Sequence, residues 1–323
     1  MPQLVALDPA TYRRHAIHGE GRQWAETNCY TDVLVEVLHG LGHEPTALLA
    51  FTLATDWEVG QFTFFKPPPE DVALLFGLAV CEFAPWRPLL ETVVEQIAGG
   101  RPVLVELDSY FLPDTEGTAY RRAHVKSTAG INRVDLDARV LGYWHNQGYW
   151  ELGGEDFEAV FQTGGLVHPR MLPPYLEFLK PVPGRAPLRD AALVEGALDR
   201  LQAHLRVLPS NPFPRFRADI ERDHHFLLEG DLEVFHAWSF VTLRQAGANY
   251  ELAESFLRWL ASRGADVPAA AAPALAAIST GAKALQFQVA RSVARRRPLD
   301  LGPVDELARR WDEAMSPLQD RFR

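Results

Sequence analysis

The chain has 323 residues, 47 % of them hydrophobic and 23 % charged, with a formal net charge of −10. That balance supports a folded core and argues against general nucleic-acid binding, which wants a basic footprint. Two cysteines, Cys29 and Cys81, make neither a disulfide framework nor a CxxC metal spacing. The start lacks a basic, then apolar leader, and no apolar run reaches transmembrane length. A cytoplasmic protein with no membrane segment and no metal is the expectation.

Residues 1–22 read as an irregular arm in which Arg13, Arg14, His15 and His18 are solvated. The loop Gln23-Trp24-Ala25-Glu26-Thr27-Asn28 then leads into Cys29 at the start of a helix over 30–39. Val33, Val35, Val37 and Leu38 give that helix its apolar surface, and Thr27 or Asn28 can cap it. A first-turn cysteine sits at the positive end of the helix dipole, which favours negative charge on sulfur. Gln23 lies six positions upstream, where its amide can aim at a carbonyl that the sulfur attacks. A buried structural cysteine is the competing reading.

Residues 61–66 alternate with aromatics and predict a strand, closed by Pro67-Pro68-Pro69. Glu70-Asp71 opens a helix carrying Leu74, Leu75 and Leu78, and residues 88–99 form a second helix stopped by Gly99-Gly100. The buried strand 102–108 follows and places Asp108 and Tyr110 at a strand end. Residues 123–129 and 138–144 read as two strands of a hairpin with a turn over 130–137. Centred near residue 135, it sets His124 opposite Asn146, beside His145. A strand over 149–152 and a short helix follow, and Pro169, Pro173 and Pro174 precede a last segment, 175–179.

The proline-rich stretch 181–187 is the best linker. Beyond it the apolar period is helical over 191–205, 216–227, 232–246, 250–263, 269–295 and 304–315, with a turn at Gly247-Ala248-Asn249. Two domains are expected, 1–182 and 188–323. Asp223-His224-His225 with His236 lacks the periodicity of a metal site, and His39 and His43, four apart, are separated by Gly40 and Gly42, which break the helical geometry a metal would need.

In chain order, Gln23, Cys29, His124 and Asn146 resemble the papain-like cysteine fold. There a helix carries the cysteine and an antiparallel sheet carries the histidine and its Asn or Asp partner. The pattern departs from the peptidases in Tyr30, which stands where they have glycine. Asn28-Cys29, the stretch Val105 to Pro113, and His124 are similar to the papain-like acyltransferases of the butirosin biosynthesis protein H type. Trp24 to His39, Tyr143 to Phe157, Phe235 to Leu252 and Lys283 to Arg291 resemble an uncharacterised bacterial domain-of-unknown-function family, found beside ligases that load amino acids onto carrier proteins.

These resemblances imply an α+β fold, a papain-like domain followed by an all-α helical bundle. They imply transfer of an acyl or aminoacyl group from a carrier-protein thioester to Cys29, then to an amine or hydroxyl of a small-molecule or protein acceptor. Gln23 and the Cys29 N–H would hold the oxyanion, and His124 would move the proton. Asn146 would orient the imidazole, with His145, Asp137 and Asp108 as alternatives. Trp24, Asp108, Tyr110 and His145 would line the substrate site. Phosphopantetheine enters only as carried by the donor, so no cofactor is expected. An acidic carrier would dock on Arg121, Arg122 and Lys126, or on Lys283 and Arg291. A homodimer is compatible with the sequence. Two other readings use the same residues: a hydrolase (peptidase, amidase or thioesterase) and a non-catalytic carrier-binding scaffold.

Overall fold

The computed structural model describes residues 1–25, 27–163 and 175–322. Glu26 and the prolines Pro169, Pro173 and Pro174 lie outside the described residues. The first elements in chain order are helix α1 (Cys29–Gly40), strands β1 (Trp57–Glu58) and β2 (Gln61–Phe62), helix α2 (Pro69–Phe76), strand β3 (Leu78–Phe83) and helix α3 (Leu89–Ala98). Strands β4 (Val103–Asp108), β5 (Lys126–Asp135), β6 (Val140–His145) and β7 (Gly148–Gly153), helix α4 (Glu155–Val160) and strand β8 (Leu176–Pro181) follow. The remainder is helical: α5 (Asp190–Arg206), α6 (Phe213–Glu229), α7 (Leu232–Ser239), α8 (Gln245–Ser262), α9 (Ala271–Arg295) and α10 (Gly302–Phe322). The fold class is α+β. No helix among the described residues is long and apolar enough to cross a membrane.

Two units form, and neither is continuous in sequence. The first comprises Met1–Gly19, Cys29–Pro45 and Pro69–Pro187; the second comprises Glu20–Asn28, Thr46–Pro68 and Leu188–Arg323. Two short N-terminal segments thus count with the helical unit, where a division at 182 and 188 leaves them in the first.

The first unit is built on an antiparallel six-stranded sheet of order β3-β8-β4-β5-β6-β7. Side chains alternate between its faces. On one face, Val103, Val105, Leu107, Ala129, Ile131 and Tyr143 join α3 and α4 in one apolar core. The opposite face carries α1. Gly130 and Gly40 let that helix approach: a Cβ on Gly130 would lie 2.6 Å from Val37 Cγ2, and one on Gly40 would lie 2.5 Å from Trp144 Cζ2. Val33, Val37 and Leu38 of α1 are fully buried. Each such side chain contributes about 1.5–3 kcal/mol. The arm is not fully solvated either. His18 is buried, with Nε2 3.2 Å from Asp32 Oδ1 and Nδ1 against Glu36, both on α1.

Several local expectations change. The strand 61–66 shrinks to a two-residue ladder, Trp57↔Phe62 and Glu58↔Gln61. Thr63 Oγ1 accepts from the Asp56 N–H and so turns the chain instead of extending it. Leu78, read as part of the preceding helix, instead opens an edge strand, 78–83, that carries Cys81. Strand β5 runs through the expected turn and pairs Ala129↔His145 and Asp135↔Val140. The real turn lies at 136–139, where Asp135 Oδ1 accepts from the Ala138 N–H and Arg139 takes φ +52°.

In the second unit, the expected turn at 247–249 is absent. Helix α7 passes through a π-helical turn, Phe240–Arg244, directly into α8. Gly247 is there for packing: a Cβ would lie 2.1 Å from Trp24 Cε2. Asn249 Nδ2 donates to Thr52 O at 2.7 Å, so this polar residue anchors a neighbouring segment instead of ending the helix.

Candidate active site

Cys29 is the first residue of α1 and is half-buried. Its Sγ–H donates to Thr128 Oγ1 of β5 at 3.6 Å. Residues facing each other across an antiparallel pair share a face, as do alternate residues along one strand. Thr128 pairs with Glu106, and Lys126 pairs with Asp108. Asp108 and Thr128 therefore lie on the α1 face, and the Ser109 N–H to Val125 O bond of 2.8 Å carries the ladder on toward His124.

His124 is tied to Asp108. Its Nδ1 lies 2.7 Å from Asp108 Oδ2, with the two side chains 20 % and 11 % exposed. An ionised carboxylate only accepts, so Nδ1 carries the hydrogen and Nε2 is the basic nitrogen. The other carboxylate oxygen, Oδ1, accepts the Tyr110 N–H at 3.0 Å. Tyr110 then stacks on the imidazole, with centroids 4.4 Å apart and planes at 9°. One short segment thus supplies both the ion partner and the stacking ring.

Asn146 does not meet His124. The expected register is shifted, because β5 pairs residue 129, not 125, with His145. Asn146 occupies the tight turn between β6 and β7 at φ +50°, a left-handed position that asparagine tolerates. Asp137 lies in the turn after β5, at the far end of that strand. His145 turns to the face opposite α1. Its Nδ1 meets Asp114 Oδ2 at 2.5 Å and its Nε2 meets Ser127 Oγ at 2.7 Å.

The upstream candidates belong to the second unit. The Gln23 N–H donates to Glu251 Oε1 at 2.7 Å. Trp24 is 2 % exposed, and its Nε1 donates to Ser279 Oγ at 2.9 Å. Lys283 Nζ sits 4.3 Å from the Trp24 ring centroid. Burial, then Arg244, pushes the Lys283 ammonium below its ordinary range. Trp24 is therefore packed as a core side chain of the helical unit.

The basic residues near β5 are engaged. Arg121 donates to Asp156 Oδ1 at 2.6 Å, Arg122 to Gly117 O at 2.8 Å, and Lys126 pairs with Glu106 at 2.8 Å. Beside the thiol, Tyr30 donates to Glu177 Oε2 of β8 at 2.5 Å, which fastens the start of α1 to the sheet. Burial and the Glu177 carboxylate raise the Tyr30 phenol above its ordinary range. Among the described residues, no three His, Cys, Asp or Glu side chains gather as a metal site.

Thr128, Asp114 and Ser127 are contacts that the sequence reading missed. Alternation along β5 was the available signal, since it separates Lys126 and Thr128 from Ser127 and Ala129 once the register is right.

Two family models match the chain, a DUF1839 N-terminal domain over residues 13–181 and a DUF1839 C-terminal domain over residues 190–320. A search of curated proteins gives no match. The matches span most of the sequence.

Proposed function

The chain belongs to the DUF1839 family, and from that premise we propose that its first unit performs cysteine-dependent acyl transfer on a papain-like plan. The observation that carries this reading is the Asp108–His124 pair, with Asp108 on the same face of the sheet as Thr128, which accepts from the Cys29 thiol. Cys29 attacks the thioester of an acyl or aminoacyl group borne by a carrier protein. His124 Nε2 takes the thiol proton and returns it to the leaving thiol, while Asp108 holds the ring and balances the imidazolium. Attack by an amine or hydroxyl then releases the acyl group from sulfur. Thioester donors suit a cysteine nucleophile because thiol exchange is nearly isoenergetic.

The test is intact-protein mass spectrometry after mixing with an aminoacyl-loaded carrier protein, with Cys29→Ala run in parallel. A mass increase on the wild type alone, discharged by an added amine, supports transfer. Discharge by water at the same rate makes the protein a thioesterase. No adduct and no loss of carrier thioester across several acyl groups would leave a carrier-binding scaffold.

A further inference from the structure

On the sheet face away from α1, Ser127, His145 and Asp114 form an unbroken hydrogen-bonded chain. Ser127 and His145 share that face because Ala129, the alternate neighbour of Ser127, pairs directly with His145. The imidazole and the carboxylate are almost out of solvent, at 1 % and 3 % side-chain exposure, while Ser127 is half-buried. Ser127 is thus the least buried residue of the three.

The carboxylate sets the chemistry. Asp114 Oδ2 can only accept, so Nδ1 of His145 carries its hydrogen and Nε2 is left as the acceptor for the Ser127 hydroxyl. Asp114 Oδ1 in turn accepts from the Tyr143 hydroxyl at 2.5 Å, which holds the carboxylate in place. Trp150 Nε1 donates to His145 O at 3.3 Å and fixes the backbone behind the ring. Nucleophile, base and orienting acid occur in the order and at the distances of an activated serine.

We propose that Ser127, His145 and Asp114 are a second nucleophilic centre, one that accepts acyl groups from esters or thioesters independently of Cys29. Ser127 Oγ attacks the carbonyl carbon, and its proton passes to His145 Nε2. The tetrahedral adduct collapses, the carbon–alkoxide or carbon–thiolate bond breaks, and the leaving group takes the proton from the imidazolium. Water then attacks the Ser127 ester, giving its proton to Nε2, and the acid is released as Oγ regains a proton. Asp114 faces the imidazolium in both halves.

The test is labelling of the full-length protein with a fluorophosphonate, which reacts with activated serines and spares ordinary ones, followed by peptide mapping. Label on Ser127 is expected in the wild type and equally in Cys29→Ala, which separates this centre from the thiol. Ser127→Ala abolishes it, and Asp114→Asn and His145→Gln slow it at least tenfold. Hydrolysis of p-nitrophenyl acetate by the Cys29→Ala variant follows the same order. Should His145→Gln not fold, the isosteric Asp114→Asn and the wild-type map decide. No label on Ser127, under conditions that saturate a serine protease in the same tube, overturns the assignment. So does a labelling rate that Asp114→Asn leaves unchanged, since the chain would then be only a structural tie.

Discussion

Tyr110 and His124 stack face to face, 4.4 Å apart, and the Tyr110 N–H and the His124 ring share the two oxygens of Asp108. The aromatic ring blocks rotation of the imidazole and the carboxylate fixes its tautomer. Asp108→Asn keeps the shape but offers an amide in place of the acceptor. Acyl-Cys29 formation from a thioester donor should fall by about 10²–10⁴-fold. Asn146→Ala should change it less than about threefold, because Asn146 is a turn residue. Single-turnover acylation rates distinguish the two. Equal losses in both variants would return Asn146 to the site.

Gly130 is where α1 touches the sheet. A methyl group there would press on Val37 and Val33, neither of which has a flexible end to move aside. Gly130→Ala should destabilise the first unit by about 1–3 kcal/mol, the usual cost of overpacking. Urea titration reads this directly. Unchanged stability with full acylation would mean that α1 shifts freely and that its closeness is not a constraint.

Much of this was legible from the sequence and some was not. The helices announce themselves by period, and β4 by its run Val103 to Leu107 between Gly100 and Asp108. Cys29 at a helix start was visible for the same local reasons, whereas His124, read as part of a strand, lies two residues before β5 begins. The partner of His124 was not visible, because hairpin register depends on where the turn falls. Gly130 looked like a turn signal, yet it is a strand residue whose missing side chain makes room for Val37. Gly247 misled in the same way: it marks the approach of Trp24, a contact between residues more than two hundred positions apart. Glycine announces a backbone need without saying whether the need is a turn or a neighbour.

Alkaline pH should unfold the protein through its tyrosines. Burial raises the phenols of Tyr12, Tyr30, Tyr143, Tyr149, Tyr175 and Tyr250. Neighbouring carboxylates add to the effect at Tyr12 (Glu36), Tyr30 and Tyr175 (Glu177) and Tyr143 (Asp114). The native chain therefore keeps phenolic protons that the unfolded chain loses above about pH 10. Fewer protons on the unfolded state mean that stability is intact below that pH and falls as pH rises beyond it. Tyrosinate absorbance near 295 nm should appear in a step together with loss of near-ultraviolet dichroism. A smooth titration of every tyrosine with tertiary structure retained would contradict this.

Trp24 should matter to stability and not to substrate. It is buried among helices of the second unit, with its indole N–H on Ser279 and its ring under Lys283. Trp24→Ala should cost about 3–5 kcal/mol, typical of an emptied aromatic site. Gly247→Ala, which drives a methyl into the same ring, should cost about 1–3 kcal/mol. Thermal melts of both variants check this. A Trp24→Ala protein of unchanged stability but altered acyl preference would restore the tryptophan to the substrate site.

The Trp24–Ser279 bond spans 255 positions of chain. At about 5–20 residues per second, translation leaves Trp24 waiting roughly 10–50 s for that partner to leave the ribosome. Trp57 and Phe62 wait less long, for Phe216 and Phe213. A nascent chain halted anywhere before α9 displays an indole with nowhere to go. Newly made copies should therefore be clients of ribosome-associated holdases, and a synonymous slow codon late in the message should raise aggregation without altering a single side chain.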